Sequence, residues 1–302
     1  MKADVSVGIS PRQSFDSWAK FVAELESDGV NRIWAIDSQL AMKDVYAGLV
    51  VAALNTSRVG LGTGVTNAVT RHPTVSANAI AAVDELSHGR AILGLGAGDS
   101  ALYGIGLKPQ KVAEVAEAIA FFRSALPKSV PIYLAVSQQR MCELAGREAD
   151  GAIVMGPAQP DAVRRQVEWI RSGGRPDVEI AFIAPTSTEI EDVRSWAAGQ
   201  ARLLSHFKEL PPGLDRFKDE INRSAETYDY SEHLSTHAEH GAAVSDELVR
   251  TLGVVGTAEE CAARLRELRE CGVDRLIFPI AGRGRADRWR KLRDQILSQV
   301  MV

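Results

Sequence analysis

Eight short apolar runs, separated by longer amphipathic stretches, constrain the fold of this 302-residue chain most strongly. The runs occupy residues 5–9, 33–36, 59–62, 91–95, 130–136, 152–155, 178–184 and 275–280. Most are apolar on both faces, as expected of parallel strands covered by helices. Strand and helix alternating eight times favour a closed α/β barrel, the (β/α)₈ TIM barrel, over an open doubly wound sheet.

The stretches between the runs carry helix signals. Ser14 is a predicted N-cap, Gly29 a predicted end, and the apolar residues Phe15, Trp18, Val22 and Leu25 recur between them at helical spacing. Two capping-box patterns predict further helix starts: Thr188 with Glu191, and Thr257 with Glu260.

The turn after the first run argues against the open sheet. It reads GISPRQS, which lacks the glycine fingerprint expected there in a dinucleotide-binding sheet. The seventh and eighth runs start about 100 residues apart, so residues 205–250 are predicted to be a helical insertion between strands 7 and 8. We expect a single domain over residues 1–302 that contains this insertion.

The glycine-rich stretch AILGLGAGDS, residues 91–100, raises the question of what approaches its backbone. A P-loop needs a lysine at its end, and none occurs before Lys108. In a dinucleotide fingerprint the third glycine position would fall on Asp99. The stretch ends the fourth strand, on the face where barrel active sites lie, so Gly96 and Gly98 could admit a flat ligand. A glycine-rich strand end without a ligand is the alternative.

Polar residues also follow other strands at the same predicted face. Asp37 follows strand two, residues 62–73 follow strand three, Ser137 follows strand five and Gly156 follows strand six. Each is explained singly by the polarity of loops, but their coincidence favours a site at the carboxyl ends of the strands.

Net charge, hydropathy and cysteine content exclude some classes of function. The formal net charge of −4 provides no general electrostatic basis for binding nucleic acid or an acidic membrane. No apolar window approaches the ~18 residues of a membrane span, and the N-terminus MKADVSVGISPRQ lacks a signal-peptide core. The three cysteines form no CxxC pair. We therefore expect a cytoplasmic protein that binds neither nucleic acid nor a membrane.

Three histidines in the predicted insertion, His233, His237 and His240, would share one face of a helix. Imidazoles at such spacing can bind zinc, but no cysteine or HExxH pattern supports them. A polar surface helix is the preferred interpretation, and no metal site is predicted.

The central block of the chain resembles the bacterial luciferase-like superfamily. GTGVTNAVTRHP at 62–73, followed by AAVDELSHGRAILGLGAGDSA at 81–101, is similar to the F420-dependent methylenetetrahydromethanopterin reductases and their relatives. Residues 131–156 and 252–278 also resemble family segments. The resemblance covers most of the chain and matches least over residues 205–245.

That resemblance implies a (β/α)₈ barrel with a deazaflavin or flavin ring at the carboxyl ends of the strands. It also implies a cis peptide bond at Gly64–Val65, in a bulge that backs the ring. The residues implied to contact the cofactor are Gly64, Val65, Thr66, Asn67, Gly96, Gly98, Ser137 and Gly156. Thr66 and Asn67 would line the ring edge, and Ser137 and Gly156 would serve the tail and phosphate.

The implied activity is that of a coenzyme F420-dependent oxidoreductase, transferring a hydride between the deazaflavin and a small organic substrate. Asp37 and Asp99 are the candidate catalytic residues, for proton handling or substrate positioning. The chain departs from its relatives at Ser38, where many have histidine, and at Ser10, where methanopterin reductases have an acid. Both departures concern the substrate more than the cofactor.

Two other functions remain open at the level of sequence. One is an FMN-dependent monooxygenase or reductase, because the same barrel can hold either ring. The other is a non-catalytic flavin-binding protein, which the departures at Ser10 and Ser38 would permit. A homodimer is expected, and the identity of the substrate is not determined.

Overall fold

A computed structural model describes residues 3–230, 241, 243–280 and 284–300. Its strands are β1 (Ala3–Val7), β2 (Arg32–Ala35), β3 (Gly60–Thr63), β4 (Ala91–Leu95), β5 (Ile132–Val136), β6 (Gly151–Val154), β7 (Glu179–Ile183), β8 (Thr186–Ser187), β9 (Val254–Val255) and β10 (Arg275–Pro279). Strands β1 to β7 and β10 close into a parallel barrel, and β8 pairs with β9 outside it. Every predicted run contributes one barrel strand, so the (β/α)₈ prediction is confirmed.

The helices follow the strands in chain order. They are α1 (Phe15–Ser27), α2 (Val45–Asn55), α3 (Pro73–Leu86), α4 (Asp99–Tyr103), α5 (Val112–Ala125), α6 (Gln139–Glu148), α7 (Pro160–Arg171), α8 (Glu191–Leu204), α9 (Lys218–Glu226), α10 (Asp246–Leu252), α11 (Ala258–Glu270), α12 (Arg285–Lys291) and α13 (Ser298–Val300). A 3₁₀ turn, Asp215–Phe217, precedes α9, and a π-helical segment, Leu292–Leu297, joins α12 to α13. None of the helices within the described ranges is long and apolar enough to cross a membrane.

The strands are apolar on both faces because each face meets its own core. Six buried side chains form a cluster inside the barrel: Trp34, Ile92, Tyr133, Ile153, Ala181 and Ile277. Sequence neighbours such as Ile33 and Leu93 point the other way and belong to the core shared with the surrounding helices. The continuous hydrophobic runs thus result from the burial of both surfaces.

The helix signals were correct for α1 and α11. Ser14 Oγ accepts a hydrogen bond from Ser17 N, and the Thr257–Glu260 capping box is formed. The box predicted at Thr188 and Glu191 is wrong, because α8 has Ile190 at its N-cap with no side-chain cap bond. Ser187 supplies local polar contacts instead, accepting from Glu189 N and donating to Asp192.

The segment 205–250 is partly helical in its described part. Buried residues of α8, α9, α10 and the 3₁₀ turn form a core of their own that includes Ala197, Ala201, Phe217, Ile221 and Leu248. That residues 205–250 are an insertion into a single domain stays a prediction. The histidines His233, His237 and His240 lie outside the described residues.

A network of charged residues, here called the basal network, occupies the amino-terminal end of the barrel. Arg32 donates to Tyr133 Oη at 2.8 Å and to Glu179 at 2.6 Å. Arg275 donates to Glu179 at 2.7 Å and to Asp4 at 2.9 Å. Burial acts to raise the pKa of Glu179, but the Tyr133 hydrogen bond and the arginines outweigh it and lower the pKa to about 2. Burial raises the pKa of Asp4 to about 6 in spite of Arg275.

Candidate functional site

A cavity of about 430 Å³, here called the main cavity, opens at the carboxyl ends of the barrel strands. This volume lies in the range of small-molecule sites. Seven of the predicted site residues line it: Asp37, Gly64, Val65, Gly96, Gly98, Asp99 and Ser137. Barrel closure therefore brings together the ends of β2, β3, β4 and β5, as the sequence predicted.

Apolar side chains from the barrel interior line the cavity beneath these residues. Trp34, Ile153 and Ile277 belong both to the interior cluster and to the cavity lining, together with Val65. The peptide bond between Gly64 and Val65 is cis, which confirms the bond implied by the family resemblance. The surface is thus apolar where a planar ring would be expected.

The glycines at the ends of β3 and β4 allow neighbouring side chains to pack directly against the backbone. A Cβ atom on Gly96 would lie 2.8 Å from Val65 Cγ2, and one on Gly64 would lie 2.7 Å from Trp34 Cβ. Gly98 adopts a φ of 92° at the start of α4, a conformation that glycine favours. The space cleared by Gly96 is occupied by Val65, which itself lines the cavity.

Two predicted residues, Thr66 and Asn67, lie behind the lining and are fully buried. Thr66 Oγ1 donates to Asp37 Oδ2 at 2.7 Å. Asn67 Oδ1 accepts from the amides of Val69 and Thr70 at 3.0 and 2.8 Å. Their contacts hold Asp37 and the loop after β3 in place.

Asp37 accepts hydrogen bonds from three side chains. Arg71 Nη1 and Thr66 Oγ1 both lie 2.7 Å from Oδ2, and Gln39 Nε2 lies 2.8 Å from Oδ1. Arg71 also binds Asp44 at 2.8 Å. A carboxylate that accepts from an arginine and two neutral donors is suited to orienting groups, because its oxygens serve as acceptors.

Asp99 is held by Arg202 in a two-pronged ion pair. Arg202 Nη1 donates to Asp99 Oδ1 at 2.9 Å, and Nη2 donates to Oδ2. The guanidinium lies over the rings of Tyr228 and Tyr230, 5.4 and 5.6 Å from their centroids. Burial would lower the pKa of Arg202, but the bond to Asp99 outweighs it and the pKa is raised. The pair ties α4 to α8 across the cavity.

One face of α8 forms a wall that the sequence reasoning missed. Trp196, Gln200 and Leu203 follow one another at helical spacing and line the cavity, and His206 continues the wall beyond the helix. The His206 ring stacks on Tyr103 with centroids 5.6 Å apart. The spacing was a readable signal, but nothing local to the sequence indicates that α8 packs over the strand ends.

Gly156 lines a second cavity, of about 190 Å³, which shares Ser137 and Gln138 with the main one. The N-terminus of α6 adjoins it, with Gln138 at the N-cap and no side-chain cap bond. Its lining includes the cations Arg165 and Lys208 and one acid, Glu209. Helix amide groups and cations together favour an anionic ligand group.

No trio of histidine, cysteine, aspartate or glutamate side chains within the described ranges is arranged to hold a metal ion. The three cysteines are buried and unpaired, and burial raises the pKa of the Cys142 thiol to about 12. In the described residues, the polar groups of the main cavity are therefore carboxylates, amides, hydroxyls, indoles, an arginine and an imidazole, and the second cavity adds Arg165 and Lys208.

Known proteins are similar to this chain in sequence and in fold. The chain is 28% identical over 295 residues to the 5,10-methylenetetrahydromethanopterin reductase of Methanolobus tindarius, covering 86% of this chain and 88% of that protein. The F420-dependent tetrahydromethanopterin reductase of Methanopyrus kandleri has a similar structure, with a TM-score of 0.76, 18% identity and coverage of 99% and 100%.

Two other solved structures extend the comparison. An F420-dependent secondary alcohol dehydrogenase with an F420–acetone adduct gives a TM-score of 0.75 at 18% identity, covering 99% of each chain. The FMN-bound oxygenating component of a Baeyer–Villiger monooxygenase from Pseudomonas putida gives 0.65 at 16% identity, covering 99% and 98%. The luciferase-like monooxygenase family model matches residues 1–275, and the chain belongs to that family.

Proposed function

We propose that this protein is a coenzyme F420-dependent oxidoreductase that transfers a hydride between the deazaflavin ring and a small organic substrate. The observation that carries the proposal is a main cavity lined by Trp34 and Val65, adjoining a second cavity that carries Arg165 and Lys208. A flat apolar ring with an anionic tail fits that combination. The sequence similarity to the methanopterin reductases supports the same cofactor.

The ring is proposed to lie in the main cavity. Gly64, Gly96 and Gly98 line it. Their missing side chains let Trp34, Val65 and Leu102 pack against the backbone there, so the ring would lie against apolar side chains. Thr66 and Asn67 are buried behind it and keep the loop after β3 in place. When bound, the cofactor supplies the two-electron hydride chemistry, and the protein supplies orientation and electrostatics.

The phosphate and acidic tail are proposed to follow the second cavity. Ser137 lines both cavities, and Gly156 lines the second. A Cβ atom on Gly156 would lie 2.6 Å from Gln166 Oε1, so glycine keeps this wall compact. Arg165 packs over Trp169 at 4.9 Å and has no carboxylate bond among the described residues, which leaves its charge for a ligand.

Asp37 and Asp99 are proposed to orient the ring and the substrate. Each lines the main cavity and each is held by an arginine, Arg71 for Asp37 and Arg202 for Asp99. Carboxylates fixed in this way present oriented acceptors, which favours positioning over proton handling. The absence of candidate proton donors at Ser10 and Ser38 agrees with that assignment: Ser38 lines the cavity without the imidazole that many relatives have there, and Ser10 is exposed.

The test is a side-by-side fluorescence titration of the purified protein with F420 and FMN. We expect F420 to bind more tightly. Arg165→Gln should weaken F420 binding by about tenfold, through loss of a charge-assisted contact. Arg164→Gln is the matched control, because Arg164 binds the exposed Asp161 and does not line the cavity.

The FMN alternative predicts the opposite ranking, a yellow preparation, and oxygen uptake when reduced flavin is supplied. The non-catalytic alternative predicts F420 binding without turnover over a broad panel of carbonyl and imine substrates. Tighter binding of FMN than of F420 would overturn the proposal.

We also propose that the protein is a homodimer in the cytoplasm. Helix α2, VYAGLVVAALN, is apolar on nearly every side, and Leu54 on it is 65% exposed. Val75 on the neighbouring α3 is 55% exposed. Apolar patches of this kind are commonly covered by a partner. Leu54→Glu should convert a dimer into a monomer in light scattering, and a monomeric parent protein would refute the assembly.

A further inference from the structure

The wall formed by α8 carries a buried acceptor whose orientation is fixed. Gln200 is 2% exposed, and its Nε2 donates to the carbonyl oxygen of Gly156. Because a carbonyl oxygen only accepts hydrogen bonds, the amide nitrogen must point towards it. The other amide atom, Oε1, has no hydrogen-bond partner among the described residues.

A donor lies one helical turn away on the same face. Trp196 lines the main cavity, and its Nε1 is also buried without a partner in the described part of the chain. Buried polar atoms without partners are costly, so native structures retain few of them. Both atoms are buried, so a ligand in the cavity can satisfy this acceptor and donor, at positions i+4 and i on one face, after a small movement of the two side chains.

The charges of the main cavity select against an anion. Of the lining residues that the structure describes, Arg202 is the one cation with a permanent charge, and both of its terminal nitrogens are used by Asp99. Asp37 adds a second carboxylate. Arg202 Nε has no partner among the described residues, but two carboxylates against one arginine give the lining a net negative charge, which would repel an entering carboxylate or phosphate.

We infer that the α8 wall determines substrate specificity and selects an uncharged substrate that donates a hydrogen bond to Gln200 Oε1 and accepts one from Trp196 Nε1. An amide-type group has this combination of atoms. The inference rests on the proposed function, because it names the substrate class for the cavity that holds the cofactor ring.

Three probes of similar size separate charge from hydrogen bonding: benzamide, methyl benzoate and benzoate. Their dissociation constants are measured by isothermal titration on the F420-loaded protein. Benzamide should bind about tenfold more tightly than methyl benzoate, which lacks the N–H donor. Benzoate should bind most weakly of the three, because it is an anion.

Gln200→Met removes the acceptor at nearly constant volume and should abolish the preference for benzamide over methyl benzoate. Gln159→Met is the matched control. Gln159 also donates through Nε2 to a backbone carbonyl, that of Thr251, but it lines neither cavity. The control should keep the preference.

Each result decides the inference. Benzoate binding as tightly as benzamide, absence of benzamide binding, or a preference that survives Gln200→Met would overturn it. The F420 titration of the same proteins separates the two proposals. Failure of F420 to bind refutes the proposed function, whereas normal F420 binding without probe discrimination refutes only the role of the α8 wall.

Discussion

The two ends of the barrel differ in whether their buried polar groups have partners. At the amino-terminal end, the basal network pairs Asp4, Arg32, Glu179 and Arg275 through bonds of 2.6 to 2.9 Å. At the carboxyl end, Gln200 Oε1 and Trp196 Nε1 have no partner within the described residues. The charged groups at the amino-terminal end pair with one another, whereas the carboxyl end has polar atoms that are free to bond to a ligand.

The difference separates stability from ligand binding within one fold. Strand starts can be joined by fixed ion pairs, since the ligand binds at the other end of a barrel of this kind. At the strand ends, Arg71 holds Asp37 and Arg202 holds Asp99, and the cavity keeps room and unpaired polar atoms for the proposed ligand. Substitutions at the two ends should therefore affect different measurements.

The largest expected effect is at the basal network. Arg275→Met should lower the free energy of unfolding by about 3–5 kcal/mol, because Asp4 and Glu179 lose a buried partner. Urea unfolding at neutral pH measures this loss. F420 affinity should remain that of the parent protein, and a large loss of affinity without loss of stability would contradict the division between the two ends.

A smaller stability effect and a larger binding effect are expected at the carboxyl end. Arg202→Met should cost about 1–3 kcal/mol of unfolding free energy, because the Asp99 side chain it leaves is 31% exposed and can be hydrated. F420 or substrate affinity should fall in the same variant, since Asp99 and the α8 wall lose their connection. Equal stability losses for Arg202→Met and Arg275→Met would count against the comparison.

The smallest effect is a pH dependence of the basal network. The pKa of Asp4 is about 6 in the folded protein, above its ordinary 3.8, so its stabilising contribution is complete below 3.8 and is lost as pH rises through 6. The free energy of unfolding of the parent protein, relative to that of Asp4→Asn, should therefore increase by about 1 kcal/mol when the pH is lowered from 7 to 5. Urea midpoints of both proteins at the two pH values give the difference. A stability difference between the two proteins that does not change with pH would exclude a raised pKa for Asp4.

Much of the fold was predictable because its signals are local. Each apolar run and each helix cap is decided within a few residues, as at Ser14 and Thr257. The failed capping box at Thr188 shows the limit of such signals, since the neighbouring hydroxyl of Ser187 makes the local contacts instead. The family-like block around residues 62–73 also located the cis bond at Gly64–Val65.

The candidate site was predicted in outline, from the position of polar residues at strand ends. Asp37 and Asp99 do line the main cavity, but their arginine partners were not identified. Arg202 lies 103 positions from Asp99, on a helix whose own pattern says nothing about which loop it covers. The α8 wall was missed for the same reason.

By itself, the sequence determined the eight β/α units, the family and the face of the barrel at which the main cavity opens. These properties depend on hydrophobic periodicity and on short motifs, which act over one turn or one strand. The tertiary structure alone decided which charges pair and which polar atoms stay unpaired. Those outcomes depend on barrel closure, which joins residues as distant as Asp4 and Arg275, 271 positions apart.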